Sequence, residues 1–156
     1  AYGDGYYAAT QYHLEEIRRQ TLRYRQELAE LGQPTQDRTV AVNRLTLLAE
    51  SYDEAARQGG SHVRQVLANY ASRGSIKELV DGQLVSISKD DPRLLERALK
   101  AVALVGTPEA VAEQLSVYAE AGVTRVLMRV APADMPKELV AQTITLAGEQ
   151  ILPKFR

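Results

Sequence analysis

Apolar residues recur every three or four positions along much of the chain, which is the spacing of amphipathic helices. The first such segment begins at Leu14 and ends before Gly32 and Pro34, a combination that stops a helix. Two adjacent glycines, Gly59 and Gly60, are expected to break the second helix. Helices after the first are predicted where a capping signal or an early proline precedes an apolar stripe: at Ser51–Glu54, Pro92, Thr107–Pro108 and Pro136.

Two segments between these helices have the composition of buried strands. Thr39–Leu48 is rich in branched residues and apolar on both alternating positions, as in a parallel sheet that is covered on both faces. Thr124–Val130 repeats the pattern, and we expect the two segments to be parallel neighbours. Residues 72–92 are rich in turn-forming residues and are expected to be irregular, with Leu84–Ile87 either extended or part of a loop. The alternation of helices and strands predicts an α/β fold with a parallel sheet.

Composition and charge narrow the classes of function. The chain has 156 residues, of which 45% are hydrophobic and 25% charged, as is typical of a single soluble globular domain. Its 19 basic and 20 acidic residues give a net charge of -1, which argues against a nucleic-acid partner bound through a basic surface. No apolar run reaches the ~20 residues of a membrane span, and the lack of cysteine fits a reducing compartment. We therefore expect a cytoplasmic protein with no nucleic-acid or membrane partner.

Several short motifs resemble, in order and spacing, those of the luciferase-like monooxygenases. Each motif alone is common in α/β proteins, and the resemblance rests on their combination over nearly the whole chain. The motifs are Gly3-Asp4-Gly5-Tyr6-Tyr7, Leu45-Thr46-Leu47-Leu48-Ala49, Asp53-Glu54-Ala55, Val105-Gly106-Thr107-Pro108-Glu109 and Tyr118-Ala119-Glu120-Ala121-Gly122-Val123.

The resemblance implies the carboxyl-terminal part of a (β/α)₈ TIM barrel, with its sixth, seventh and eighth strands and their helices. These strands would be Asp4–Tyr7, Thr39–Leu48 and Thr124–Val130. Residues 1–156 would then form a single partial barrel domain. Because the chain begins at Ala1 without a methionine, we expect it to be a fragment of a longer luciferase-like chain.

The resemblance further implies a flavin-dependent oxidoreductase. Family members use reduced FMN with O₂ for monooxygenation, or a deazaflavin for hydride transfer. Their small organic substrate enters at the carboxyl-terminal mouth of the barrel. The groups that hold the flavin phosphate and surround the reacting ring are expected upstream of this chain. The resemblance therefore assigns no catalytic residue here, and the isolated chain is expected to be inactive.

Four residues are candidates for contact with the flavin. Tyr6 and Tyr7 lie on the sixth strand, where an aromatic side chain could line the flavin ring. Alternatively, one of the two packs inside the barrel and the other under a helix. Arg44 needs an anionic partner if it faces the barrel lumen, and it reaches the surface along its aliphatic stem if it faces the helices. Arg129 ends the eighth strand, where barrel active sites form, although a surface or ion-pair role fits equally.

Other site chemistries find no support in the sequence. His13 and His62 lack a second ligand at helical spacing, so no metal site is predicted.

Two alternatives remain open: a non-catalytic α/β fragment or interaction module that another chain completes, and a different barrel family with similar helix and strand order. Barrel-interior residues, among them Leu47, Val126 and Met128, would be exposed in the isolated chain. We therefore expect a homo-oligomer, or association with the missing barrel half.

Overall fold

The computed structural model describes residues 5–36, 38–132 and 134–155, so the predicted motif residues Gly3 and Asp4 lie outside the described residues. The strands are β1 (Gly5–Ala8), β2 (Thr39–Leu48), β3 (Lys77–Val80), β4 (Gln83–Ser86), β5 (Ala103–Gly106) and β6 (Arg125–Arg129). The helices are α1 (Leu14–Glu30), α2 (Tyr52–Ser72), α3 (Leu94–Val102), α4 (Pro108–Glu120) and α5 (Lys137–Leu146), followed by two short helical turns. None of the helices in these ranges is both long and apolar enough to cross a membrane.

β2 is the central strand of a parallel sheet. β1 pairs with its residues 39–42, and β5 pairs with its residues 45–48. β6 pairs with residues 41–45. Because β1 and β6 both reach Ala41 and Val42, they flank β2 on opposite sides. The predicted parallel pairing of the two buried strands is therefore confirmed.

The two faces of this sheet are covered to different extents. On the helix-covered face, Val40, Val42 and Leu48 of β2 pack in a cluster with side chains of α1 and α4. On the other face, Leu47 packs with side chains of α2 and α3 near the carboxyl ends of the strands. Much of the remainder of that face is accessible, and Tyr7 and Leu127 are 56% and 44% exposed there, although the Oδ1 atom of Asn43 is buried. We call this remainder the open face, and its members are Tyr7, Asn43, Arg125, Leu127 and Arg129.

α2 runs unbroken through Gly59 and Gly60, so the predicted break is wrong. A Cβ atom on Gly59 would stand 2.5 Å from Cδ2 of Leu47, and one on Gly60 would stand 3.1 Å from Cδ2 of Leu95. The missing side chains therefore let α2 approach both the sheet and α3 closely. Packing against these two surfaces stabilises the helix more than the glycines weaken it.

Residues 72–92 contain a β-hairpin, so the expectation of an irregular segment is wrong for the two strands and correct for residues 73–76 and 87–92. β3 and β4 pair antiparallel over four residues each. Asp81 and Gly82 between them have φ angles of 47° and 78°, as a type I′ turn requires. Of the two alternatives for Leu84–Ile87, the extended one is correct for the residues in β4. Ile87 continues the ladder by donating its N–H to the carbonyl oxygen of Ile76 at 2.9 Å.

Two further expectations are corrected by the positions of side chains in the sheet. β5 was not predicted from the sequence; it is buried along its whole length and follows α3 directly. Leu47 lies buried under α2, while Val126 and Met128 pack in the cluster of the helix-covered face, so these three are not the exposed residues. Leu127, between them, is exposed instead. For Val126 and Met128 the error is one of parity, because side chains alternate along a strand and a shift of one residue exchanges the two faces. Leu47 lies on the predicted face but is covered by α2.

Candidate functional site

All four strands of the parallel sheet end at one edge, which is the usual place for ligands in α/β folds. The described residues that follow these strands are 9–13, 49–51, 107, 130–132 and 134–136. We call this side of the molecule the carboxyl edge. The open face leads up to it, so side chains of that face and of these segments form the candidate site.

The pairing register orders the open-face side chains in rows across the sheet. Tyr7 of β1 lies beside Ala41, which lies beside Arg125 of β6. One row nearer to the carboxyl edge, Asn43 lies beside Leu127, and Arg129 lies in the row after that. Tyr7 and Arg129, both predicted from the sequence, therefore share the open face.

Asn43 is a polar residue in the middle of an otherwise apolar strand. Its Oδ1 atom is buried and accepts no hydrogen bond from any described residue. An unpartnered buried acceptor is costly unless a ligand or another segment supplies a donor. Asn43 was not among the site residues predicted from the sequence. The only sequence signal for it was that a single amide side chain alternates with the buried residues of the strand and so shares a face with Ala41 and Leu45.

Tyr6 lies on the opposite, helix-covered face, so the two adjacent tyrosines do not line one surface. Its hydroxyl donates a hydrogen bond to Oε1 of Gln20 on α1. Its ring lies 6.0 Å from the ring of Tyr24, tilted by 34°. Burial raises the pKa of the Tyr6 hydroxyl, and the nearby Tyr12 and Glu16 add to this effect. These contacts place Tyr6 in the packing between β1 and α1.

Arg44 also lies on the helix-covered face, and it is fully buried. Its Nε donates to the hydroxyl of Tyr118 at 2.6 Å, and Nη2 donates to the carbonyl oxygen of Tyr12 at 2.7 Å. Nη1 donates to the carbonyl oxygen of Thr10 at 2.8 Å and makes two longer contacts, at 3.1 and 3.4 Å, with neighbouring carbonyls. One guanidinium therefore joins β2, α4 and the loop between β1 and α1.

The charge of Arg44 is balanced by dipoles and not by a carboxylate of any described residue. Burial lowers the pKa of the guanidinium, and Tyr118 opposes this effect through its charge and its hydrogen bond. The guanidinium carbon also lies 5.0 Å from the centre of the Tyr118 ring. Since three of its contacts are backbone carbonyls of residues 9–12, Arg44 fixes the loop that follows β1 at the carboxyl edge.

No group of three or more histidine, cysteine, aspartate or glutamate side chains with the geometry of a metal site occurs in residues 5–36, 38–132 and 134–155. The open face instead offers an aromatic ring, an amide oxygen and two arginines. This set of groups is suited to a planar, polar organic ligand more than to an ion.

Comparison with solved structures shows the same fold in several oxidoreductases. The chain is 23% identical to the monooxygenase RslO1 from Streptomyces bottropensis, with a TM-score of 0.68 over 97% of this chain and 42% of that one. It is 21% identical to the oxygenating constituent of 3,6-diketocamphane monooxygenase from Pseudomonas putida, solved with FMN, with a TM-score of 0.73 over 96% of this chain and 42% of that one. It is 18% identical to the coenzyme F420-dependent tetrahydromethanopterin reductase from Methanopyrus kandleri, with a TM-score of 0.67 over 99% and 46% of the respective chains.

The chain thus spans less than half the length of these structural relatives. No curated protein sequence matched it. The sequence model of one family, described as luciferase-like monooxygenase, matches residues 1–125, which is most of the chain. The resemblance seen in the sequence motifs is therefore confirmed, and the chain belongs to the luciferase-like monooxygenase family.

Proposed function

We propose that the chain forms the carboxyl-terminal part of a (β/α)₈ barrel, with β1, β2 and β6 as its sixth, seventh and eighth strands. Two features support this arrangement. β1 and β6 each pair with β2 only, among the described residues, so each has an edge available for another strand. The accessible open face is the surface that the remaining strands would close into a lumen. The missing part of the barrel, or a second copy of the chain, would cover it.

We further infer that the completed barrel is a flavin-dependent oxidoreductase that acts on a small organic substrate. The family match and the relatives solved with FMN or described as F420-dependent support this inference. FMN is the first candidate and a deazaflavin the alternative. The flavin supplies the redox chemistry, while the protein binds it, orients the substrate and excludes water.

The described residues contain groups that fit a flavin ring. Tyr7 offers an exposed aromatic face, the buried Oδ1 of Asn43 offers an acceptor for a ring N–H, and Arg129 offers a cation near the carboxyl edge. In this proposal Tyr7 and Arg129 contact the flavin or the substrate. Tyr6 and Arg44, which lie under the helices, support the ring site by fixing β1 and the loop after it.

The observation that carries the proposal is the open face, which combines an aromatic ring on the edge strand β1, an unpartnered amide oxygen on the central strand β2, and two strands with an unpaired edge. The same edges favour a second candidate, an interaction module without catalysis that another chain completes. The two candidates differ in flavin binding. A completed barrel of the first kind binds FMN, whereas a completed module of the second kind does not.

Titration of FMN, followed by flavin fluorescence, tests the proposal on the 156-residue chain and on the chain joined to the rest of its barrel. The chain alone lacks the phosphate contacts, each worth about 1.5–3 kcal/mol, so we expect it to bind at least about a thousandfold more weakly. In the complete barrel, Tyr7→Ala removes a ring contact of about 0.5–1.5 kcal/mol and should raise Kd about three- to tenfold. Leu22→Ala, at an equally exposed site on α1, is the matched control and should leave Kd unchanged.

Two outcomes would contradict the proposal. Micromolar binding of FMN by the chain alone would mean that the phosphate site lies within these residues. Failure of the complete barrel to bind FMN or a deazaflavin would favour the interaction module.

A further inference from the structure

A polar cleft opens between the start of α1, strand β3 and helix α3. Its volume is about 430 Å³, within the range of small-molecule sites. Unlike most such sites, it is lined mainly by ionisable side chains: His13, Glu78, Arg93, Glu96, Arg97 and Lys100. A lining of this kind excludes an apolar ligand and suits a charged one.

The ion pairs in the cleft leave one cation without a salt bridge to any described residue. Arg97 pairs with Glu78 and with Asp91, just outside the cleft. Lys100 pairs with Glu96 at 2.7 Å. Arg93, at the start of α3, forms no salt bridge in the described part of the chain. Its charge still interacts at longer range with Glu78, Asp91 and Glu96. Arg97 and Lys100 are therefore engaged in ion pairs, whereas the guanidinium of Arg93 is able to bind an incoming anion.

His13 adds a hydrogen-bond donor on the opposite wall. Its Nδ1 caps α1 by accepting the backbone N–H of Glu15 at 3.1 Å, so the neutral ring carries its hydrogen on Nε2. Burial lowers the pKa of His13, and the charge of Arg44 lowers it further, against the opposing charges of Glu15, Glu16 and Glu78. The ring is therefore neutral near pH 7, and Nε2–H has no partner among the described residues.

Both walls of the cleft are held in place before any ligand arrives. Arg44 fixes the loop before His13 through the carbonyl oxygens of Thr10 and Tyr12. Lys77 of β3 lies 3.6 Å from Glu16 and links the hairpin to α1. Because little ordering is needed, binding loses little conformational entropy.

We propose that this cleft binds the anionic group of a small organic ligand, a carboxylate or a phosphate, between the guanidinium of Arg93 and Nε2–H of His13. The interpretation of this cleft as a substrate subsite of the oxidoreductase rests on the proposed function. The binding of an anion by the cleft does not. The cleft lies beside the segment that follows β1, at the carboxyl edge, where substrate is expected to enter.

The test is an NMR titration of the flavin-free protein with succinate and, separately, with inorganic phosphate at constant ionic strength. Backbone amide shifts of residues 13–16 and 93–97 report binding. We expect saturation with a Kd on the order of 1 mM for at least one probe. Preference for succinate identifies a carboxylate site, and preference for phosphate identifies a phosphate site.

Three variants locate the binding. Arg93→Gln should weaken it at least about fivefold, the loss of a charge-assisted bond. His13→Asn keeps a residue that caps a helix but removes the Nε2 donor, so it should weaken binding about threefold or more. Arg73→Gln, at an exposed arginine away from the cleft, is the control and should leave the affinity unchanged.

Two results would overturn the proposal. One is a linear shift without saturation for both probes. The other is an equal effect of Arg93→Gln and Arg73→Gln, which would mean that the cleft is an ordinary solvated surface of α3. Neither result bears on FMN binding, so failure of this proposal is distinguishable from failure of the proposed function.

Discussion

Replacement of Arg44 by methionine tests whether a buried cation without a carboxylate partner stabilises the fold. Methionine resembles the aliphatic stem of arginine in size and shape but donates no hydrogen bond. The variant leaves the carbonyl oxygens of Thr10 and Tyr12 and the hydroxyl of Tyr118 without their present partner. These groups lie in packed surroundings where water replaces the guanidinium poorly.

Opposing contributions set the size of the expected effect. Three bonds of 2.6–2.8 Å to a charged donor contribute about 1.5–3 kcal/mol each. Removal of the guanidinium also recovers the cost of burying its charge, which is several kcal/mol. Burial lowers the pKa of Arg44, consistent with such a cost. We expect a net loss of about 3 kcal/mol in the free energy of unfolding, because breaking a buried charged network usually destabilises by about 3–5 kcal/mol.

Urea unfolding measures this loss. With a slope of about 2 kcal/mol per M, Arg44→Met should lower the midpoint by about 1.5 M. Arg73→Met makes the same change at an exposed position and should stay within about 0.5 kcal/mol of the parent. Tyr118→Phe should cost less than Arg44→Met, and the double variant should show a coupling energy. A midpoint for Arg44→Met equal to or above that of the parent would refute the reasoning, because the cost of burying the charge would then exceed its bonds.

Two further predictions concern α2 and the cap of α1. Gly59→Ala should lower the free energy of unfolding by about 1–3 kcal/mol, because its Cβ would lie 2.5 Å from a side-chain carbon of Leu47. Gly148→Ala is the control: its Cβ would have nothing within 4 Å, so the same urea assay should show no loss or a gain in stability. Equal effects of the two substitutions would contradict the packing argument. The pKa of His13 is lowered below its ordinary 6.5, so the unfolded chain binds the proton more readily and stability falls as the pH drops below about 6.5. His13→Asn should flatten this decline between pH 7 and 5, and an unchanged slope in urea unfolding would contradict it.

The sequence predicted the parts of the fold that local pattern determines. Thr39–Leu48 is long, branched and apolar on both parities, and a strand covered on both faces requires that composition. Ser51 and Thr107 cap their helices as expected, accepting the backbone N–H groups of Glu54 and Ala110 at 3.1 and 3.2 Å. Such signals involve residues only a few positions apart, so they are visible without a tertiary structure.

Features that depend on distant contacts were not predictable in the same way. Gly59 and Gly60 have the composition of a break, but the surfaces of Leu47 and Leu95 convert them into a close contact. β5 has only four residues and follows α3 without a turn, so its apolar run continues the helical pattern. Its strand conformation comes from pairing with residues 45–48 of β2, more than 50 positions earlier in the chain.

The neighbours Asn43 and Arg44 illustrate why the candidate site was harder to predict than the fold. Both are polar residues in one apolar strand, and sequence analysis selected the charged one as the contact for a ligand. The alternation of the strand sends Arg44 under the helices, where the hydroxyl of Tyr118 and several carbonyl oxygens satisfy its donors. The same alternation sends Asn43 to the open face, where its Oδ1 has no donor among the described residues. A ligand-binding role follows from unsatisfied hydrogen-bonding capacity more than from charge, and that capacity is determined only when the partners on both faces of the sheet are known.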